Sequence, residues 1–159
     1  MRIAIVSDTH KYMDSIKKVC EKIKTENPDI IIHLGDVMDD ADVMEAILDR
    51  EVRRVPGNCD YSYGVSHELL IYVGNTAVYA VHGHEHGVKR SLTHLAGEAV
   101  RKGAKIALYG HTHIAREDVL GGVHVFNPGS ASLPKNNQKR SMAFLEIQEK
   151  EISFKIVHI

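Results

Sequence analysis

The chain has 159 residues, 43% of them apolar, so one hydrophobic core can account for all of it and a single domain over residues 1–159 is expected. Its 20 Lys+Arg nearly cancel 21 Asp+Glu, a balance that excludes polycationic nucleic-acid binding and the charge excess of a disordered tail. Cys20 and Cys59 stand far apart with no C-x-x-C, Met1–Ser7 is too short for a signal sequence and no apolar run suits a membrane span, which together predict a protein of the reducing cytoplasm.

Ile3–Val6 reads as a short β-branched strand. Ile16, Val19, Cys20 and Ile23 follow at helical spacing until Asn27-Pro28 stops them. Ile30–Ile32 is a second buried strand, and Val43, Met44, Ile47 and Leu48 mark a helix that Asp39 or Asp40 could cap. A third strand, Val52–Val55, ends at Pro56-Gly57. Segments 69–73 and 76–81 read as strands joined at Gly74-Asn75, and Val88, Leu92, Leu95 and Ala99 predict a third helix ending near Gly103. Lys105–Tyr109, Ile114–Asp118, Val123–Phe126, Met142–Ile147 and Ile152–Val157 complete the set as strands. An α/β first half and a strand-rich second half suggest two sheets packed face to face with helices outside. The strand order is left open.

Histidine is in excess: 11 residues, more than Tyr, Phe and Trp together. Imidazole is the commonest metal ligand and acid/base group. Five apolar runs end in metal-capable side chains: Asp8 and His10, Asp36, Asn58, His82, and His111 with His113. Ligands in open α/β sheets gather at the carboxyl ends of strands, so these seven can form one site. In D-x-H and H-x-H, side chains two apart in extended backbone point the same way, roughly 6.5–7 Å apart. Three carboxylate or amide oxygens and four imidazoles are too many for one tetrahedral ion and suit two, about 3.5–4 Å apart, as in hydrolysis of a phosphate ester. A donor set of oxygen and imidazole without thiolate admits two divalent transition-metal ions, with manganese first and Ni, Fe, Co or Zn as alternatives, and argues against an all-oxygen Mg or Ca cage.

The ordered set D-x-H (8–10), GD (35–36), GN-x-D (57–60), HGH (82–84) and GHTH (110–113), with Asn127-Pro128-Gly129-Ser130 beyond it, resembles the calcineurin-like metallophosphoesterases, specifically their small prokaryotic YfcE-type branch. The resemblance implies an α/β fold, a four-layer αββα sandwich with two mixed β-sheets flanked by helices, and a dinuclear site. Carried over motif by motif, Asp8, His10 and His113 would hold the first metal, Asp36 would bridge, and Asn58, His82 and His111 would hold the second. Asp36, Asn58 and His82 are expected to act in catalysis as well as in binding. The expected reaction is hydrolysis of small phosphodiesters by a hydroxide held between the ions. A homodimer is compatible with the resemblance.

Many relatives carry histidine where this chain has Cys59, a poorer proton donor to a leaving alkoxide than an imidazolium. Either a preference for good leaving groups such as aryl phosphodiesters or protonation by water or a nearby residue is therefore expected. His84 is a candidate for substrate contact, and Asp60 is a candidate for orienting a ligand or merely continuing the turn. Cys20 and His33 read as core residues. His67, His94, His124 and His158 read as surface or structural, and His86 as part of a solvated loop. Two other readings stand beside the enzyme: a protein-interaction scaffold resembling the retromer subunit of the same fold, which has no need of all seven ligands, and a nuclease acting on polynucleotides, for which no basic groove is evident.

Overall fold

A computed structural model describes residues 1–61, 64–149 and 151–159. The elements run β1 (Arg2–Val6), α1 (Met13–Glu26), β2 (Ile30–His33), α2 (Asp39–Leu48), β3 (Arg53–Arg54), β4 (Glu68–Val73), β5 (Thr76–Val81), α3 (Thr93–Arg101), β6 (Ile106–Leu108), β7 (Ala115–Leu120), β8 (Val123–Pro128), β9 (Ser141–Gln148) and β10 (Glu151–His158). They form two mixed five-stranded sheets, ordered β10-β9-β1-β2-β3 and β4-β5-β6-β8-β7. In the first, β1, β2 and β3 are parallel, β9 is antiparallel to β1, and the edge strand β10 is antiparallel to β9. In the second, β5, β6 and β8 are parallel, with β4 and β7 as antiparallel edges.

The period-2 alternation of strand side chains separates the layers. Ile3 and Ile5 of β1 face Val78, Ala80, Ile106 and Leu108 across the space between the sheets. Their neighbours Ala4 and Val6 face the other way, onto Ile16, Val19 and Met44 of α1 and α2. On the second sheet, Tyr79 and Val81 turn outward to Leu95 and Ala99 of α3. Three apolar clusters thus make four layers, α1 and α2, sheet, sheet, α3, as the sequence led us to expect.

Three expectations change. Neither Asp39 nor Asp40 caps α2 from outside: the helix begins at Asp39, with Met38 at the cap position and no side-chain cap bond. Instead the carboxylate of Asp40 turns inward to accept from the Thr9 hydroxyl and the Lys11 N–H. The third helix starts at Thr93 rather than Val88, because Gly83 and Gly87, both at positive φ, bracket a one-turn 3-10 helix at His84–His86. Val88 and Leu92 pack beside Leu95 all the same, which reproduces helical spacing in a segment that is not helical. The strand expected over 52–55 pairs only at Arg53 and Arg54, at the sheet edge. Val52 and Val55 are nonetheless buried, on opposite sides of the sheet.

His33, at the end of β2, is fully buried, and burial pushes its pKa down to about 4 against the opposing pull of Asp40, Asp8 and Asp60. The unfolded chain takes up this proton near pH 6.5, so below that pH the unfolded state binds more protons and stability falls, levelling off near pH 4. In urea denaturation between pH 7 and pH 4 the wild type should lose about 3 kcal/mol relative to His33→Gln, whose side chain does not titrate. Parallel stability curves for the two proteins would refute this.

Candidate metal centre

The carboxyl ends of β1, β2, β3, β5 and β6 converge at one edge of the sandwich, and the loops that leave them carry the expected ligands. Asp8, His10, Asp36 and His113 each offer a ligand atom within 4.8 Å of one another, as do Asp36, His82 and His111. Asp36 is common to both groups. His82 Nε2 lies 3.4 Å from Asp36 Oδ1, and His10 Nε2 lies 3.9 Å from Asp36 Oδ2. Asn58 joins the second group, its Oδ1 3.2 Å from His82 Nε2.

Backbone carbonyls set the tautomers. His82 Nδ1–H donates to Leu34 O at 2.6 Å and His113 Nδ1–H donates to Leu133 O at 2.7 Å, which leaves each Nε2 lone pair directed into the centre. Asp8 is prepared in the same manner. Its Oδ2 accepts from the Ser7 hydroxyl at 2.6 Å and from the His111 N–H at 3.1 Å. Its Oδ1 is buried, without a hydrogen bond among the described residues, 3.1 Å from His113 Nε2. Two acceptors that face each other in a buried place require a cation between them, a proton or a metal ion. The donors present therefore fit a pair of divalent ions: imidazole nitrogen and carboxylate or amide oxygen, with lone pairs already aimed inward.

The pKa shifts report the same crowding. Burial pushes Asp36 up, but the hydrogen bond and charge of His82, the Cys59 N–H and the charge of His10 outweigh it and hold the carboxyl well below its usual range. Burial pushes His82 down, and the carboxylates of Asp36 and Asp8 more than reverse this. The neighbouring carboxylate of Asp8 raises His113, whereas His111, pressed by burial, His82 and Lys89, falls to about 4.

The loops that hold these side chains are bent into unusual backbone. Asp8, His10, Asp36, His111 and His113 all have positive φ, between 47° and 63°. Non-glycine residues there cost about 1–3 kcal/mol each where surrounding bonds impose the conformation. Those bonds come from the loops themselves and from a segment of small polar residues after β8. Asp8 N–H donates to Gly35 O at 3.0 Å. Ser130 Oγ donates to Asp8 O at 2.8 Å, Ser132 Oγ to Thr9 O at 2.5 Å, and Asn127 Nδ2 to Gly110 O at 2.9 Å. The Asn127-Pro128-Gly129-Ser130 motif and Ser7 thus support the candidate ligands from behind, a part that the motif alone does not assign. The sequence signal for them is a run of small polar residues at a strand's carboxyl end; their burial is seen only in the structure.

The remaining candidates sort themselves by contact. Asp60 touches no ligand side chain. Its two oxygens accept from Met38 N at 2.7 Å and Gly57 N at 2.8 Å, tying the loop of Asp36 to the loop of Asn58. Cys59 donates its N–H to Asp36 Oδ1 at 3.1 Å, and its exposed thiol has a pKa raised by burial and by Asp36. The half-buried ring of His84 lies 5.4 Å from that of His82 and 6.0 Å from that of His111, at the rim of the centre. His67, His94 and His158 are exposed and His124 packs on Phe126. His86 lies against Tyr79, and Cys20 is buried in the α1 cluster.

Residues 1–150 match the family model described as the calcineurin-like phosphoesterase superfamily domain. A probable metallophosphoesterase of Bacillus subtilis, YsnB, is 32% identical over 148 residues, covering 93% of this chain and 85% of its own. The phosphodiesterase YfcE of Escherichia coli is 25% identical, covering 92% of this chain and 88% of its own. Among solved structures, a Streptococcus pneumoniae protein described as a predicted phosphoesterase superposes with a TM-score of 0.83 at 26% identity, covering 99% of this chain and 88% of that one. Vps29 from Entamoeba histolytica, complexed with zinc, superposes with a TM-score of 0.78 at 22% identity over 99% of this chain and 98% of that one, a likeness of fold.

Gly57 and Gly110 make room for the two buried carboxylates. A Cβ at Gly57 would overlap Asp36 Oδ1 and its backbone nitrogen, and one at Gly110 would overlap the Ser7 hydroxyl and lie 2.9 Å from Asp8 Oδ2. Because Gly57 has no positive φ, the effect of Gly57→Ala is steric and falls on Asp36. This variant should fold with a loss of about 1–3 kcal/mol and bind Mn at least roughly 10-fold more weakly by calorimetric titration. Gly97→Ala, in α3 with open space around it, is the control expected to bind as wild type.

Proposed function

Because the chain belongs to the calcineurin-like phosphoesterase superfamily, we propose that it is a dinuclear, metal-dependent phosphodiesterase acting on small phosphodiesters. The observation that carries this reading is the sharing of Asp36 between two ligand groups, with further donors on either side. Asp8, His10, Asp36 and His113 would hold one ion; Asp36, Asn58, His82 and His111 would hold the other. Divalent ions held there would lower the pKa of water and offset charge on the phosphoryl oxygens, which would let a protein of net charge −1 capture an anion. The mixed oxygen and imidazole donors fit Mn, Fe, Co, Ni or Zn, and the share of carboxylate and amide oxygen makes manganese our assignment.

The chain's own groups have separate tasks. The Leu34 and Leu133 carbonyls keep His82 and His113 as Nε2 ligands. The depressed pKa of Asp36 keeps it ionised through the range in which the enzyme would work. Exposed Asn58 and half-buried His84, at the rim, are placed to meet the phosphoryl oxygens of a substrate. The Cys59 thiol beside Asp36 is a weak proton donor, its pKa raised further, so departure of a basic alkoxide receives little help. That favours esters with acidic leaving groups. Free thiols at Cys20 and Cys59, and no helix among the described residues long and apolar enough to cross a membrane, support a place in the cytoplasm.

The full donor set weighs against a purely scaffolding role, since a docking surface does not require seven convergent ligands. Metal-stripped protein reloaded with Mn should hold two ions per chain and hydrolyse bis(p-nitrophenyl) phosphate, and Asp36→Asn should lose at least roughly 100-fold in kcat/KM. Fewer than two ions with no turnover on any loaded metal would overturn the proposal. Cys59→His should raise the rate on alkyl phosphodiesters by about 10-fold or more, as expected of a better general acid, and leave aryl esters little changed. An unaltered alkyl rate would remove Cys59 as the source of a leaving-group preference.

A further inference from the structure

Thr9 stands between the first two ligands, Asp8 and His10, yet its side chain turns away from them into the protein. It is fully buried, and with it lie two other buried polar side chains, His33 and Asp40. The three form a chain of hydrogen bonds whose direction is fixed by the donors available. Gly35 N–H donates to His33 Nδ1 at 3.1 Å, so the neutral ring carries its proton on Nε2. That proton goes to Thr9 Oγ1 at 2.9 Å. The single Thr9 hydroxyl proton then goes to Asp40 Oδ2 at 2.5 Å, which also accepts the Lys11 N–H at 2.8 Å.

The chain joins three pieces of the molecule: the loop 8–11 after β1, the turn at Gly35 just before Asp36, and the first turn of α2. Asp8, His10, Lys11, Asp36 and Val37 all have positive φ, so both joined loops are in backbone that ordinary residues leave unless held. Burial pushes the His33 pKa down to about 4, in keeping with a ring that must offer a lone pair at Nδ1. We propose that Thr9, His33 and Asp40 are positioning residues, a clamp that holds the loop of Asp8 and His10 against the loop of Asp36 and thereby sets the affinity of the Asp8, His10, Asp36 and His113 group for its ion. The inference rests on the dinuclear reading above. It adds that the clamp bears more on the first position than on the second: Thr9 lies between Asp8 and His10, whereas the second group meets the clamp only through the shared Asp36, with no bond among the described residues to Asn58, His82 or His111.

Two backgrounds separate the positions: His111→Ala leaves the first group alone, and His10→Ala leaves the second. Calorimetric titration of metal-stripped protein with MnCl2 should show Thr9→Val weakening the first background by roughly 10–100-fold and the second by no more than about 3-fold, as expected for loss of a bond that orients a ligand. Thr9→Ser, which keeps the hydroxyl, should restore wild-type affinity. Urea denaturation of the metal-free proteins gives the cost of the substitution to the fold itself. A merely structural Thr9 would lower that stability and leave both affinities unchanged, or weaken them equally, and either result overturns the clamp. So does a Thr9→Ser protein that binds like Thr9→Val. If Thr9→Val does not fold, Asp40→Ala breaks the outer end of the chain and should give the same loss at one position; equal losses at both refute it. Wild-type protein that takes up no Mn would refute the dinuclear reading, whereas wild type with two ions and an unaltered Thr9→Val refutes the clamp alone.

Discussion

The carboxylate of Asp36 governs the architecture of this protein's active edge. It is buried to 3% exposure, yet it remains an anion because His82, His10 and the Cys59 N–H surround it. Its Oδ2 lies near His10, from the loop after β1 of the first sheet, and its Oδ1 lies near His82, at the end of β5 in the second. A buried charge is tolerable only when opposing charge and hydrogen bonds meet it from several sides. The two sheets must therefore arrive with their strand ends aligned, and the four-layer packing is what aligns them.

Convergence has a conformational cost that the surrounding residues offset. Five candidate ligands sit in left-handed backbone, and one wall of each buried carboxylate is a glycine because any Cβ there would overlap the carboxylate or the hydroxyl bonded to it. The restraints lie one layer back: Ser130 and Ser132 on the Asp8 loop, Asn127 on Gly110, Asp60 across two loops, and Thr9 with His33 and Asp40 between β1 and β2. These residues touch no ligand atom at the centre. They are polar side chains spent inside the protein, where burial without a bond is penalised by about 1–3 kcal/mol each, so each is satisfied by a backbone group or by a neighbour in the same network.

Such an arrangement favours chemistry done mostly by bound ions. Cys59, exposed, and His84, half-buried, stand at the rim outside both ligand groups, open to a substrate. Deeper residues hold geometry. Substitutions in the two sets should therefore read out differently, the rim in the choice of ester and the depth in the binding of metal.

The apolar runs and their terminal polar residues made most elements and the seven candidate ligands legible in the sequence, since strand burial has period 2 and each run stops where a carboxylate, amide or imidazole begins. Tertiary structure alone decided the rest. Val88 and Leu92 have helical spacing but pack from an irregular segment, because burial is set by what lies opposite and not by local periodicity. Asp40 looks like a helix cap in isolation and becomes a buried acceptor only because β1 delivers Thr9 and Lys11 to it. Asp60, Ser130 and His33 carry no mark in the sequence that says which group each will bond. Their partners are 22, 122 and 24 positions away, and hydrogen bonds over such separations are created by the strand order of the two sheets, which local sequence does not encode. The sequence by itself determined which groups are available for chemistry; the packing of sheet on sheet determined which of their lone pairs meet.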